Sequence, residues 1–124
     1  MPYTILIFLT REAGMSHQEF KEYYETIQMP LLQRLGGEHF PRSHKRYYLQ
    51  RQIAETGQSM DPAVDVDAVA EIIFGDETAF QAFMAVLKVE EAAKELRIVE
   101  DKFVDREKLK MVVVGDIQET KRQE

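Results

Sequence analysis

Glu71 is the only ionisable residue in the apolar run AVAEIIF, and His44, Arg46, Tyr48 and Gln50 alternate along SHKRYYLQRQI. A carboxylate set between Val69 and Ile73 in a strand would be partly desolvated, which suits it to give or take a proton near neutral pH. His44 titrates in the physiological range and is a second candidate acid or base. Arg46 offers a fixed cation able to hold a carboxylate through paired charge-assisted hydrogen bonds, and Tyr48 offers a phenol. Plainer roles stand beside these. Glu71 suits an ion pair with Arg46 or an unburied face, and the stem of Arg46 suits packing over the Tyr48 ring. Gln28, at a helix end, transfers no proton but can hold a carbonyl, phenol or carboxylate, or bond a loose backbone group. His39, in GGEHFPRSH, is either near a pocket mouth or a surface loop residue. His17 falls in a first helical turn and reads as structural or solvated.

Other chemistries find little support. With no cysteine there is no disulfide, thiol nucleophile or cysteine-ligated metal. Asp61, Asp65 and Asp67 lack the spaced ligands, central glycine and terminal glutamate of a calcium loop, so no metal is expected. A net charge of −6 argues against nucleic acid, which needs a clustered basic surface. No apolar run approaches membrane-spanning length, and MPYTILIFLT lacks a basic region before its apolar stretch. A cytoplasmic protein with no membrane partner is the expectation.

Residues 3–10 form a strand apolar on both faces, as in a covered central strand. Ser16 and Glu19 make a capping box, after which Phe20, Tyr23, Tyr24, Ile27 and Leu31 share one helix face. Pro30 lacks the N–H a helix interior uses, so the helix should bend or break just before it and end by Gly36-Gly37. A second strand spans 43–53, a long loop runs from Ala54 to Asp67, and AVAEIIF is the third strand. Asp76 caps a helix with Phe80, Phe83, Met84 and Leu87 on its apolar face. A further helix places Val89, Ala92, Ala93, Leu96 and Val99 on one face, and KLKMVVVG closes the sheet. Residues 1–117 then make one domain, with a frayed polar tail over 118–124.

The order β-α-β-β-α-β predicts an α+β, ferredoxin-like fold: a four-stranded antiparallel sheet with helices on one face. Strand side chains alternate, so Tyr47, Leu49, Arg51 and Ile53 oppose His44, Arg46, Tyr48 and Gln50. Ala70, Ile72 and Phe74 likewise oppose Val69, Glu71 and Ile73. Giving the more apolar sets to the helices leaves His44, Arg46, Tyr48, Gln50 and Glu71 on the free face. Two such sheets facing each other would enclose a pocket, which predicts a homodimer built as a barrel.

The segments ILIFLTREAGMSHQEFKEYYE, IQMPLL, AVAEIIF and DKFVDREKLKMVVVGD resemble the EthD-domain family of dimeric α/β barrels over nearly the whole chain. That family usually carries a histidine two residues before the proline, where this chain has Gln28. FKEYYET, MPLLQRL and FPRSHKRYYLQR look like its fungal branch, whose members sit in aromatic polyketide pathways. The resemblance implies a cofactor-independent decarboxylase of an anthrone- or anthraquinone-type carboxylic acid in secondary metabolism. In that reading Glu71, His44 and Gln28 are catalytic, and Arg46, Tyr48, Gln50 and His39 bind substrate. Alternatives are a cofactor-free monooxygenase or cyclase of the same barrel type, and a non-catalytic dimer that binds a hydrophobic ligand.

Overall fold

A computed structural model describes residues 2–50 and 65–123. Four strands, β1 (Tyr3–Leu9), β2 (Ser43–Tyr48), β3 (Ala68–Phe74) and β4 (Lys110–Val113), form one sheet in the order β2-β3-β1-β4. Every neighbouring pair is antiparallel. Four helices, α1 (His17–Tyr23), α2 (Met29–Gly36), α3 (Glu77–Leu87) and α4 (Glu90–Phe103), complete the ferredoxin-like architecture. The long connection expected from Ala54, together with Arg51, Ile53 and Asp61, lies almost entirely outside the described residues. No helix among those described is long and apolar enough to cross a membrane.

The core lies between the helices and one sheet face. Ile5 and Leu9 of β1 and Ala68, Ala70, Ile72 and Phe74 of β3 pack there against Phe20, Tyr24, Leu32, Phe83 and Phe103. Phe103 is fully buried, with ring contacts to Phe20, Tyr23 and Tyr24 at 5.6, 5.1 and 5.5 Å. Its position at the last residue of α4 lets that helix fasten α1 to the sheet.

The capping box closes as its spacing requires. Glu19 N–H donates to Ser16 Oγ at 3.1 Å, and Ser16 N–H donates to Glu19 Oε1 at 2.9 Å. The break expected before Pro30 takes a specific form: residues Tyr24–Gln28 wind as one π-helical turn between α1 and α2. Met29 N–H reaches back five residues to Tyr24 O. This widening lets the chain pass a proline without stopping, and it inserts an extra residue into the helical phase. Ile27, expected on the apolar face, is therefore turned outward (42% exposed), and Gln28 is buried in its place. At α4, Val89 is the exposed residue just before the helix rather than part of its apolar face.

Candidate active site

The register of β2 against β3 decides which residues meet. Arg46 stands opposite Ala70, His44 opposite Ile72, and Lys45 opposite Glu71. Directly paired residues point to the same side of a sheet. His44, Arg46 and Tyr48 therefore face the helices with the buried Ala70 and Ile72, while Glu71 lies on the other side with Lys45 and Tyr47. This corrects the expected arrangement for β2. Assigning sides by apolarity fails there because the π-turn supplies polar partners that make the helix side hospitable to an arginine and a histidine.

Two linked polar groups result. Tyr24 Oη and His44 Nε2 are 3.0 Å apart. Arg46 donates from Nε and Nη2 to the two carboxylate oxygens of Glu25, both at 2.7 Å, and from Nη1 to the His44 carbonyl at 2.6 Å. The Tyr48 hydroxyl donates to the same Glu25 carboxylate. Tyr24 and Glu25 are consecutive yet serve different partners, because successive helical residues point about 100° apart.

A cleft of about 360 Å³ opens beside this network, within the range of small-molecule pockets. Met29, Pro30 and Phe40 give it apolar walls, and Glu25, Gln33, Arg42, Ser43, His44 and Arg46 give it polar ones. Burial, reinforced by Arg46, pushes His44 down to about 4, so its imidazole is neutral at pH 7. Burial holds the Tyr24 phenol well above its usual range, so it stays protonated. The Arg46 hydrogen bonds hold Glu25 below the usual carboxylate range. The cleft thus combines a neutral imidazole, a phenol behind it and an ion pair that is already satisfied. Such a site can hydrogen-bond a developing oxyanion, or take a proton from an acidic phenol, without a net change in buried charge.

A larger cavity of about 480 Å³ lies along β1 and β4, lined by Phe8, Val66 and Val112 with Lys108 and Lys110. Lys108 is bridged to Asp65 at 2.5 Å, and no histidine is among the described residues that line the cavity.

The other residues singled out from sequence fall elsewhere. Glu71 makes the plainer contacts, to Lys45 Nζ at 3.7 Å and Tyr47 Oη at 3.2 Å, and the sheet separates it from His44. Gln50 is exposed beyond the end of β2. His39 lines a neighbouring cavity of about 280 Å³ with Phe40 and Arg42, its nearest ionic partner being Glu38 at 3.8 Å. His17 approaches the buried Asp67 carboxylate at 3.4 Å. Sequence reasoning read Tyr24 only as core and missed Glu25. The signal was present as Tyr-Glu followed by Gln28 and Pro30, but only a π-turn turns those residues toward β2.

The EthD domain family's model matches residues 12–107, spanning α1 to the turn after α4. The chain belongs to the EthD domain family. An EthD family protein from Bacillus halodurans has the same fold at 18% identity and a TM-score of 0.58, covering 93% of this chain and 99% of its own. A dabb family protein with a ferredoxin-like fold from Mesorhizobium loti aligns at 14% identity and a TM-score of 0.55, covering 94% and 98%. SnoaB, a cofactor-independent oxygenase from Streptomyces nogalater, aligns at 14% identity and a TM-score of 0.54, covering 95% of each chain. No curated protein matches the chain.

In this EthD domain Gln28 is not among the cleft-lining residues. It points toward α4, where its amide and Arg106 oppose the upward push of burial on Glu100. Its Oε1 is buried without a hydrogen-bond partner.

The Arg46–Glu25 pair offers a direct test of how much the site contributes to the fold. Arg46→Met leaves Glu25 without its cation, and we expect a loss of about 2 kcal/mol. This is below the loss for fully buried pairs because both side chains keep a quarter to a third of their exposure. Adding Glu25→Leu should recover most of it, which urea unfolding of the single and double variants would measure.

Proposed function

We propose that this EthD domain is a cofactor-independent decarboxylase of a hydroxylated polycyclic aromatic carboxylic acid of the anthrone or anthraquinone type. The observation that carries the reading is the neutral His44, backed by Tyr24 and lining a cleft with apolar walls at Met29, Pro30 and Phe40. The substrate class rests on the sequence resemblance to aromatic-polyketide enzymes.

The residues support the following course. When the Tyr24 hydroxyl donates to His44 Nε2, the imidazole proton lies on Nδ1, which has no other partner among the described residues. That N–H would donate to a substrate oxygen placed β to the carboxylate, carbonyl-like in its keto tautomer. The bond to the carboxylate then breaks, its electron pair moves into that carbonyl, and CO₂ leaves. The phenolate oxygen formed is held by the imidazole N–H, the ring carbon keeps the hydrogen it gained in the keto tautomer so that the arene is restored, and a proton returns to the oxygen by way of His44. Arg46 positions β2 through the His44 carbonyl rather than meeting the substrate's charge. Glu71 has no part in this scheme, and Gln28 acts from behind as a packing residue.

A second reading is favoured by the same neutral imidazole. A base that takes the phenol's proton would give an anion able to react with O₂, and SnoaB, similar in fold, is described as a cofactor-independent oxygenase. Incubation with a hydroxyanthraquinone carboxylic acid, without added cofactor, separates the two. We expect CO₂ release with no O₂ uptake. Stoichiometric O₂ uptake would replace decarboxylase by oxygenase, and tight binding without turnover would leave a ligand-binding barrel. Gln28→His should leave the rate within about threefold if position 28 is a packing residue; a large gain would return proton transfer to that position.

The reading also pairs two copies through the open sheet face, where Leu6, Phe8, Val69 and Ile73 surround Tyr47 and Glu71. A ferredoxin-like protein from Bacteroides fragilis of similar fold is described as dimeric. Sedimentation equilibrium tests this assembly.

A further inference from the structure

The cleft holds three fixed charges, and two of them cancel. Glu25 and Arg46 bind each other in bidentate fashion, with Tyr48 on the same carboxylate. The third is Arg42, two residues before His44 in the chain and part of the same lining. Arg42 makes no hydrogen bond or ion pair with any described residue. Asp76, across the neighbouring cavity that Arg42 also borders, spends its Oδ1 on the Ala79 N–H at 2.8 Å as a helix cap. Glu38, on that same rim, extends into solvent beside His39.

The uncommitted guanidinium is nonetheless seated. It lies against the backbone of Gly75, where a Cβ would stand 2.9 Å from Arg42 Nη2, 3.2 Å from Cζ and 3.3 Å from Nε. A side chain at position 75 would displace the guanidinium, so Gly75, which lines the neighbouring cavity, works as its backstop on that side.

We propose that Arg42 is the residue that recognises the substrate's carboxylate and gives the cleft its preference for monoanionic aromatic acids. The inference rests on the reading of this cleft as the substrate site, but not on which reaction follows binding. With Glu25 and Arg46 neutralising each other and His44 uncharged, one positive charge lines the cleft, and one carboxylate balances it. Arg42 presents an unspent fork suited to bidentate contact, beside apolar walls that take the rings and a histidine that takes the adjacent hydroxyl. Arg46, the arginine favoured by sequence, has both forks occupied.

Binding can be measured without turnover. The protein has no tryptophan, so the emission of a bound naphthalene probe is easily followed. The probes are the hydroxynaphthoate with its hydroxyl beside the carboxylate, and naphthol, which lacks the carboxylate. Wild type should bind the hydroxynaphthoate more tightly than naphthol. Arg42→Gln should weaken hydroxynaphthoate roughly ten- to hundredfold and leave naphthol unchanged. Arg42→Lys should restore only part of the loss, since it keeps the charge without the fork. Gly75→Ala should weaken hydroxynaphthoate selectively while Arg42 is intact, because the added methyl displaces a flexible side-chain end rather than the fold. The proposal is overturned if wild type shows no preference for the carboxylate, or if Arg42→Gln keeps that preference or weakens both probes equally. Absence of CO₂ release alongside the expected binding pattern would count against decarboxylation only.

Discussion

Replacing His44 by asparagine should lower turnover by about two to four orders of magnitude, the usual contribution of a positioned acid or base. Asparagine keeps a hydrogen-bonding side chain but cannot exchange a proton, so substrate binding should change far less than kcat. Tyr24→Phe removes the hydroxyl behind the imidazole and should cost about tenfold by releasing its tautomer and orientation. The pH profile adds a signature that a purely structural residue would not give. Burial first, then Arg46, pushes His44 down to about 4, so activity requiring the neutral ring should persist to about pH 5 and fall below it.

The same depression has a defined sign in stability. Between the unfolded value near 6.5 and the folded value of about 4, the unfolded chain binds more protons at this site than the folded one. Stability is therefore fully retained above pH 6.5 and declines as pH falls toward 4, by a total on the order of 3 kcal/mol. Denaturant titrations at pH 7 and pH 5 should show this slope in wild type and a shallower one in His44→Asn. Equal slopes would show that His44 is not the group being protonated.

Phe103→Ala should produce the largest stability loss, about 3–5 kcal/mol, because it empties a fully enclosed position. For a chain of this size that corresponds to a fall in Tm on the order of 15 °C. A drop in kcat of no more than about tenfold, the limit set by Tyr24→Phe, is expected at temperatures where the variant remains folded, since Phe103 packs on Tyr24 and helps hold its hydroxyl at His44. Thermal melts and assays on Phe103→Leu, a milder change, would separate the effect on folding from that on the site.

Much of the fold is written locally. The capping box, the AVAEIIF alternation and the Asp76 cap each rest on interactions within a few residues, and all three are realised. The sides of β3 were legible because Ala70, Ile72 and Phe74 are apolar against a charged alternate. Those of β2 were not, because both sides carry tyrosine and a cation, and the decision falls to Glu25 and Tyr24, some twenty residues away in the chain. The candidate site was half legible for the same reason. His44, Arg46 and Tyr48 stand out by type and spacing, whereas Tyr24 and Glu25 become partners only through a non-α turn. Arg42 carried no local mark at all; its standing depends on Gly75 and on the cancellation of its neighbours' charges.

The five-residue turn from Tyr24 to Gln28 makes chain length in that segment more stringent than its chemistry. Thr26 and Ile27 point outward and should accept substitution with little effect. Deleting either would turn the i+5 bond between Met29 and Tyr24 into an ordinary i+4 bond, fusing α1 and α2 into one regular helix in which the residues after the splice keep their faces. Met29, Leu31 and Leu32 would keep their places, but Pro30 would fall in a regular helix interior where its missing N–H and ring are not accommodated. The extra residue of the turn thus serves the proline rather than the apolar face: side chains that face solvent there are free to vary, while losing one residue costs the accommodation of Pro30.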